Sequence, residues 1–316
     1  MFRNQFPDSR LARSQLNQIF SAIGEKISNQ LAISAMDFNR DQALQMACLC
    51  RLASIASDRD ILSTRQILQD SIFEPNYQLE NYLYADIPFG DDQSNCYGIL
   101  INHPNYAIAA LRGTRHLNDW LFNFLTKANS NDIHSGISHL TDSLWQPLVK
   151  FITKSDQKPI ILAGHSLGGA VVTLATHRLR QVYPHLQIIG YTFGAPPIAR
   201  HPLNVGDRFF RLRTPKDYVP DLFNALGKLE GLLPFIDSLA SYKHSGQEYL
   251  IDERYQITQI IGGTHRVIQQ LTQLVQVLSN QYQQSENGFE AISHDHHLTR
   301  YIELLNYGSV PLELSI

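Results

Sequence analysis

The chain has 316 residues and a net charge of −3, with 43% hydrophobic and 17% charged residues. That is enough chain to bury the core of one large α/β domain, and the composition is that of a folded protein rather than a disordered one. The charge balance carries no basic surplus and excludes nucleic acid as a partner. Three cysteines, Cys48, Cys50 and Cys96, are too few for a disulfide framework. Cys48-x-Cys50 lacks the spacing of a metal or redox pair and reads as free buried thiols in a reducing compartment. No stretch approaches the roughly 20 apolar residues of a membrane span. Residues 1–26 lack the apolar run and small-residue cleavage site of a secretory signal. The expected location is cytoplasmic or membrane-peripheral.

In chain order, Leu16, Ile19, Phe20, Ile23 and Ile27 repeat at helical spacing and predict a helix packed on the domain. Residues 43–56, rich in Ala, Leu, Met and Cys, and residues 61–70 continue the helical pattern, giving an N-terminal helical layer over residues 1–75. Two short apolar runs, 97–101 and 106–111, flank Asn102-His103-Pro104-Asn105 and read as a hairpin. Strands are then expected at 159–163, 186–193, 208–212 and 248–251, with a helix over 170–182 stopped by Pro184. A late amphipathic helix follows from Val267, Ile268, Leu271, Leu274, Val275 and Leu278. Strand-helix alternation with strands this apolar predicts a mainly parallel sheet covered on both faces. We expect a single α/β domain over 1–316.

The run Gly164-His165-Ser166-Leu167-Gly168 lies between the strand over 159–163 and the helix over 170–182. A bare G-x-S-x-G is weak evidence, but a strand before it and a helix after it are what a nucleophilic serine on a sharp turn requires. The flanking glycines leave room for that turn. A serine hydroxyl needs a base to remove its proton. In a strand-turn-helix setting of this kind, the acid and then the histidine follow the serine along the chain.

Several ordered motifs carry a family resemblance. Gly164 to Ala170 resembles the elbow of the fungal-type, or class 3, lipases of the α/β-hydrolase fold. Leu111-Arg112-Gly113-Thr114 is similar to that family's oxyanion strand end, Asp119-Trp120 to its D-W, and His134-Ser135-Gly136-Ile137 to its H-x-G-F. Tyr191 to Pro196 resembles its T-F-G-A-P strand, and Asp217-Tyr218-Val219-Pro220 its D-x-V-P. The motif-bearing core spans 97–222 and 290–305, with an apolar insertion over 222–245.

The resemblance implies Ser166 as nucleophile, Asp217 as acid, and the Thr114 and Leu167 N–H groups as oxyanion donors. Asp221 competes for the acid but follows the Val-Pro pair. For the base, Asp295-His296 followed by Tyr301 resembles D-H-x-x-x-x-Y and favours His296. His297 and His294 stand as alternatives, with His244 a third candidate. A zinc site on His294, His296 and His297 is the competing chemistry, but the spacing lacks a helical i, i+4 arrangement. The resemblance implies no metal and no cofactor.

Leu117, Trp120, Leu121 and Phe124 fall on one helical face where fungal relatives carry a lid. Phe223 and Leu226 begin a second apolar segment after the acid. Both segments are expected to meet the acyl chain of a lipid ester, or a membrane or lipid-droplet surface. The implied activity is hydrolysis of acylglycerol, phospholipid or galactolipid esters. Its rivals are an acyltransferase, which differs by excluding water at deacylation, and a non-catalytic lipid-binding or interaction protein, which predicts a lost triad member.

Overall fold

A computed structural model describes residues 38–56, 61–70, 77–85, 96–114, 132–155, 158–221, 242–260 and 296–306. Among these, eight strands lie side by side in chain order. They are β1 (Gln78–Tyr84), β2 (Cys96–Asn102), β3 (Ala107–Leu111), β4 (Ile160–His165), β5 (Ile188–Phe193), β6 (Phe209–Arg213), β7 (Gln247–Ile251) and β8 (Ile257–Ile260). The first three are antiparallel, β3 through β7 are parallel, and β8 returns antiparallel on β7. The described helices are α1 (Arg40–Ala56), α2 (Ile61–Asp70), α3 (Ser135–Thr153), α4 (Leu167–Val182) and α5 (Leu298–Leu305).

Strands β3, β4 and β5 are apolar at nearly every position because both faces are covered. Side chains of a strand alternate between faces. Ile99, Ile108, Ala110, Ile161 and Ala163 therefore join α1 and α5 in one core, whereas Leu100, Ala109, Leu111, Ile160 and Leu162 join α3 and α4 in the other. Helix α1 is buried almost all round, from Gln42 through Cys50 without a break. Its polar residues find partners: the Tyr191 hydroxyl donates to Gln42 Oε1 at 2.8 Å and the Tyr77 hydroxyl to Gln45 Oε1 at 3.0 Å. Such pairing removes most of the cost of burying an amide. All three cysteines are free and buried, and burial pushes the Cys48 and Cys50 thiols far above the usual 9.0, so neither forms a thiolate.

The hairpin is β2–β3, closed by His103 N donating to Tyr106 O at 3.0 Å. Each strand read from the sequence lies within two residues of its observed bounds. Strands β1 and β8 and helix α3 were not read there. Helix α3 buries Ile137, Leu140, Leu144, Leu148 and Phe151 at i, i+3, i+4 spacing despite Pro147 within it. The expected helical or apolar segments at 16–27, 115–125, 222–239 and 267–278 lie outside the described residues. No described helix is long and apolar enough to cross a membrane.

Candidate active site

Strand β4 ends at His165 and α4 begins at Leu167, which leaves Ser166 as the single residue of the turn. Its φ of 52° and ψ of −120° fall outside the basins a non-glycine residue ordinarily occupies. The turn is over-determined by its surroundings. Ser166 N donates to Phe193 O at 2.9 Å, and Ala170 N to Ser166 O at 3.0 Å. A Cβ on Gly164 would fall 2.4 Å from the Gly168 carbonyl carbon, and one on Gly168 would fall 2.5 Å from Arg112 O. Strand, helix and the end of β3 thus meet backbone to backbone, which fixes glycine two residues either side of the serine. The Ser166 hydroxyl is buried and has no hydrogen-bond partner among the described residues.

Parallel pairing aligns the carboxyl ends of β4, β5 and β6, with His165 beside Phe193 and Phe193 beside Leu212. Residues just beyond those ends share one edge of the sheet, where ligands of open α/β sheets bind. Ser166 follows β4, Gly194 follows β5, and Asp217 follows β6 after a short turn in which its N–H donates to Thr214 O at 3.3 Å and Thr214 Oγ1 at 3.2 Å. Asp217 is fully buried. It accepts from Val219 N at 3.0 Å, from the Tyr301 hydroxyl at 2.5 Å, and from His296 Nδ1, which lies 2.9 and 3.0 Å from its two oxygens. Since a carboxylate can only accept, Nδ1 carries the ring proton and Nε2 of the neutral ring is an acceptor. Nε2, too, is buried without a partner among the described residues. Gly194, at φ +59°, makes this closeness feasible: a Cβ there would fall 2.4 Å from Asp217 Oδ2 and 3.0 Å from the His296 ring.

His165 backs the arrangement. Its Nε2–H donates to His296 O at 2.8 Å, and the two rings lie 4.9 Å apart. Burial first, then the neighbouring His296, hold His165 well below the usual histidine value, so it stays neutral beside the His296 ring. The other sequence candidates go elsewhere. His297 is exposed and caps α5, accepting from Thr299 N at 3.3 Å. His244 donates from Nε2 to Pro220 O at 2.8 Å, and burial, then Arg211, keep it neutral. Asp221 is paired with Arg213, its oxygens 3.0 and 2.5 Å from the guanidinium. His294 lies outside the described residues, as do Leu117, Trp120, Leu121, Phe124, Phe223 and Leu226. No group of three or more His, Cys, Asp or Glu side chains with metal-site geometry occurs among the described residues.

Beyond β3, the Arg112 side chain is buried, unusual for an arginine. Its Nε donates to Cys96 O at 2.7 Å, its Nη1 to Gly113 O at 3.1 Å, and the guanidinium lies 5.1 Å above the Tyr97 ring. Gly113 touches the elbow: a Cβ on it would fall 3.1 Å from Ser166 Cβ and 2.8 Å from His165 Nδ1. Thr114 follows at the half-buried end of the segment, and Leu167 opens α4, whose first N–H groups have no intrahelical partner. His134, of the H-x-G-I motif, caps α3 by accepting from Ile137 N at 3.4 Å. Sequence reasoning placed Arg112, His165 and Gly194 within motifs but gave none of them a role; Tyr301 carried a signal in its spacing from His296.

The sequence model of the class 3 lipase family matches residues 108–226, a stretch that holds the elbow and Asp217. No curated protein matches the chain by sequence. Solved structures do match. The triacylglyceride lipase of Rhizomucor miehei is 17% identical, with 69% of this chain and 82% of that chain covered at a TM-score of 0.50. The same organism's lipase in complex with its propeptide, as a deletion mutant, is 15% identical, with 71% and 70% covered and a TM-score of 0.50. At these identities the likeness shows the fold: an α/β-hydrolase-type sheet, mostly parallel and flanked by helices.

Proposed function

We propose that the chain hydrolyses carboxylic esters of lipids through an acyl-enzyme on Ser166. The observation that carries the proposal is the buried Asp217–His296 pair at 2.9 Å, with His296 Nε2 and the Ser166 hydroxyl both buried and unpaired among the described residues. Two buried polar atoms without partners are each costly, and active sites are where such costs persist. The match to class 3 lipases over residues 108–226 supports ester hydrolysis of lipids as the reaction class.

Each residue then has a role. His296 Nε2 takes the Ser166 proton as the hydroxyl attacks the ester carbonyl. The Thr114 and Leu167 N–H groups hold the developing oxyanion, a contribution worth about 2.7–4 kcal/mol per donor. Asp217 fixes the His296 tautomer and stabilises the imidazolium, and Tyr301 holds Asp217. The protonated ring gives its proton to the leaving alcohol, and water then releases the acid by the same base. Catalytic hydrogen bonds tighten when substrate binds. The apolar segments at 115–125 and 222–239 leave the described backbone next to Thr114 and Asp221, and to them we assign the acyl chain and the lipid surface.

The test is release of nitrophenol from short-chain nitrophenyl esters by purified protein. Wild type turns over, and both Ser166→Ala and His296→Ala lose activity by about 10³-fold or more. Equal turnover by Ser166→Ala and wild type refutes the nucleophile, and retained activity in His296→Ala moves the base to His297 or His294. A side-by-side assay on triacylglycerol, phosphatidylcholine and galactolipid dispersions then identifies the head group.

A further inference from the structure

The N–H proposed as the first oxyanion donor belongs to Thr114, and in a trans peptide that N–H and the Gly113 C=O lie in one plane and point in opposite directions. Whatever fixes the Gly113 oxygen therefore fixes the aim of the Thr114 N–H. Glycine before it offers no side chain to restrain the peptide and the widest choice of backbone angles. The restraint comes from the residue before. We propose that Arg112 is a positioning residue of the oxyanion hole, its Nη1–H clamping Gly113 O at 3.1 Å so that the Thr114 N–H faces the ester oxygen. The inference rests on the oxyanion role given to Thr114 above.

The guanidinium can act as a clamp because it is itself immobile. Its Nε donates to Cys96 O at 2.7 Å, on β2, and its face lies over Tyr97. The Arg112 N–H donates to Tyr97 O at 2.9 Å, so backbone and side chain of one residue are both tied to the neighbouring strand. A planar fork held at Nε and on one face presents its other N–H groups in fixed directions, which a lysine on a flexible stem cannot do. The carbonyl of Arg112 is also closed off, since Gly168 packs against it with no room for a Cβ. Thus β2, the peptide after β3 and the first turn of α4 are referenced to one another through this residue, the first two by its side chain and the last by its carbonyl. An arginine buried at this point is otherwise expensive, and a leucine would pack the same volume at lower cost.

The experiment compares wild type with Arg112→Lys and Arg112→Met, using a nitrophenyl ester as substrate and a straight-chain alkylboronic acid as probe. The boronate forms a tetrahedral adduct on the serine, one oxygen of which sits in the oxyanion hole. A donor misplaced by about 1 Å costs about 10²-fold, so kcat falls by that order with KM within about twofold, and boronate affinity falls in parallel with kcat. A purely structural arginine lowers the melting temperature but leaves kcat and boronate affinity of the folded fraction unchanged, and that result overturns the proposal. Should neither variant fold, Tyr97→Leu decides, because it removes the surface beneath the guanidinium and keeps Arg112. A fall in kcat of several-fold at constant KM supports the clamp, and unchanged kcat overturns it. Wild-type protein without esterase activity refutes the hydrolase proposal itself, whereas active wild type with fully active Arg112 variants refutes only the clamp.

Discussion

Gly194 lies between the carboxylate and the imidazole without contributing a side chain to either. Its positive φ disfavours alanine by roughly 1–2 kcal/mol, and the added methyl would overlap Asp217 Oδ2 at 2.4 Å. We expect Gly194→Ala to remain folded with kcat lowered by about 10²-fold, because the His296–Asp217 hydrogen bond must lengthen. Steady-state assay of the variant decides it, and wild-type kcat would show that this pair does not act in the reaction. Residues of this kind are hard to read from sequence. Glycines at 164 and 168 are legible because the elbow demands them at fixed offsets from Ser166. Gly194 is marked as a member of the T-F-G-A-P resemblance, but its role answers to partners 23 and 102 positions further on, Asp217 and His296, and nothing local reveals that role. The same holds for the choice between His296 and His297. They are neighbours of one residue type, and only the docking of α5 turns one toward Asp217 while the other caps the helix.

At the scale of elements, α5 is short, and its position matters more than its length. It begins directly after His296–His297 and carries Tyr301. Its carboxyl end is held by Arg40 of α1, whose Nε and Nη2 donate to Leu305 O at 2.8 Å and Leu304 O at 2.7 Å, with Nη1 on Tyr255 O at 3.1 Å. A cation there also matches the negative end of the helix. Arg40→Leu is expected to lower unfolding stability by about 2 kcal/mol, the usual scale for hydrogen bonds from a charged group. Urea unfolding measures this, and an unchanged midpoint would mean the contact contributes nothing. Elements differ in legibility for physical reasons. Strands β3 to β5 are covered on both faces and read as apolar runs. Strand β1 lies at the sheet edge with irregular exposure and register shifts in its pairing, and its Gln78-Leu79-Glu80-Asn81 start resembles a loop. Helix α3 has apolar spacing, yet Pro147 removes a backbone donor and interrupts a propensity-based reading. Burial of its apolar face overrides that.

For the whole molecule, two half-buried, neutral histidines set an acid limit. His165 and His244 both have values pushed well below the ordinary 6.5, chiefly by burial. Below that value the unfolded chain binds protons that the folded chain refuses, so stability is full above about pH 6.5 and declines as pH falls. His244→Gln, which removes one of the two, should flatten the decline between about pH 7.5 and about pH 5.5. Chemical denaturation at both pH values tests this, and an identical slope in variant and wild type would contradict it.

Ser166 and Asp217 precede His296 by 130 and 79 positions, and His296 arrives with a helix whose anchor, Arg40, lies 265 positions before Leu305. During synthesis the sheet from β1 to β6 and the elbow on it can form while residues 296–306 are still unmade. Such a nascent chain carries Ser166 without its proposed base, His296. The link between the first and last described helices therefore means that the proposed triad is complete only once residues 296–306 have been made and have docked on α1.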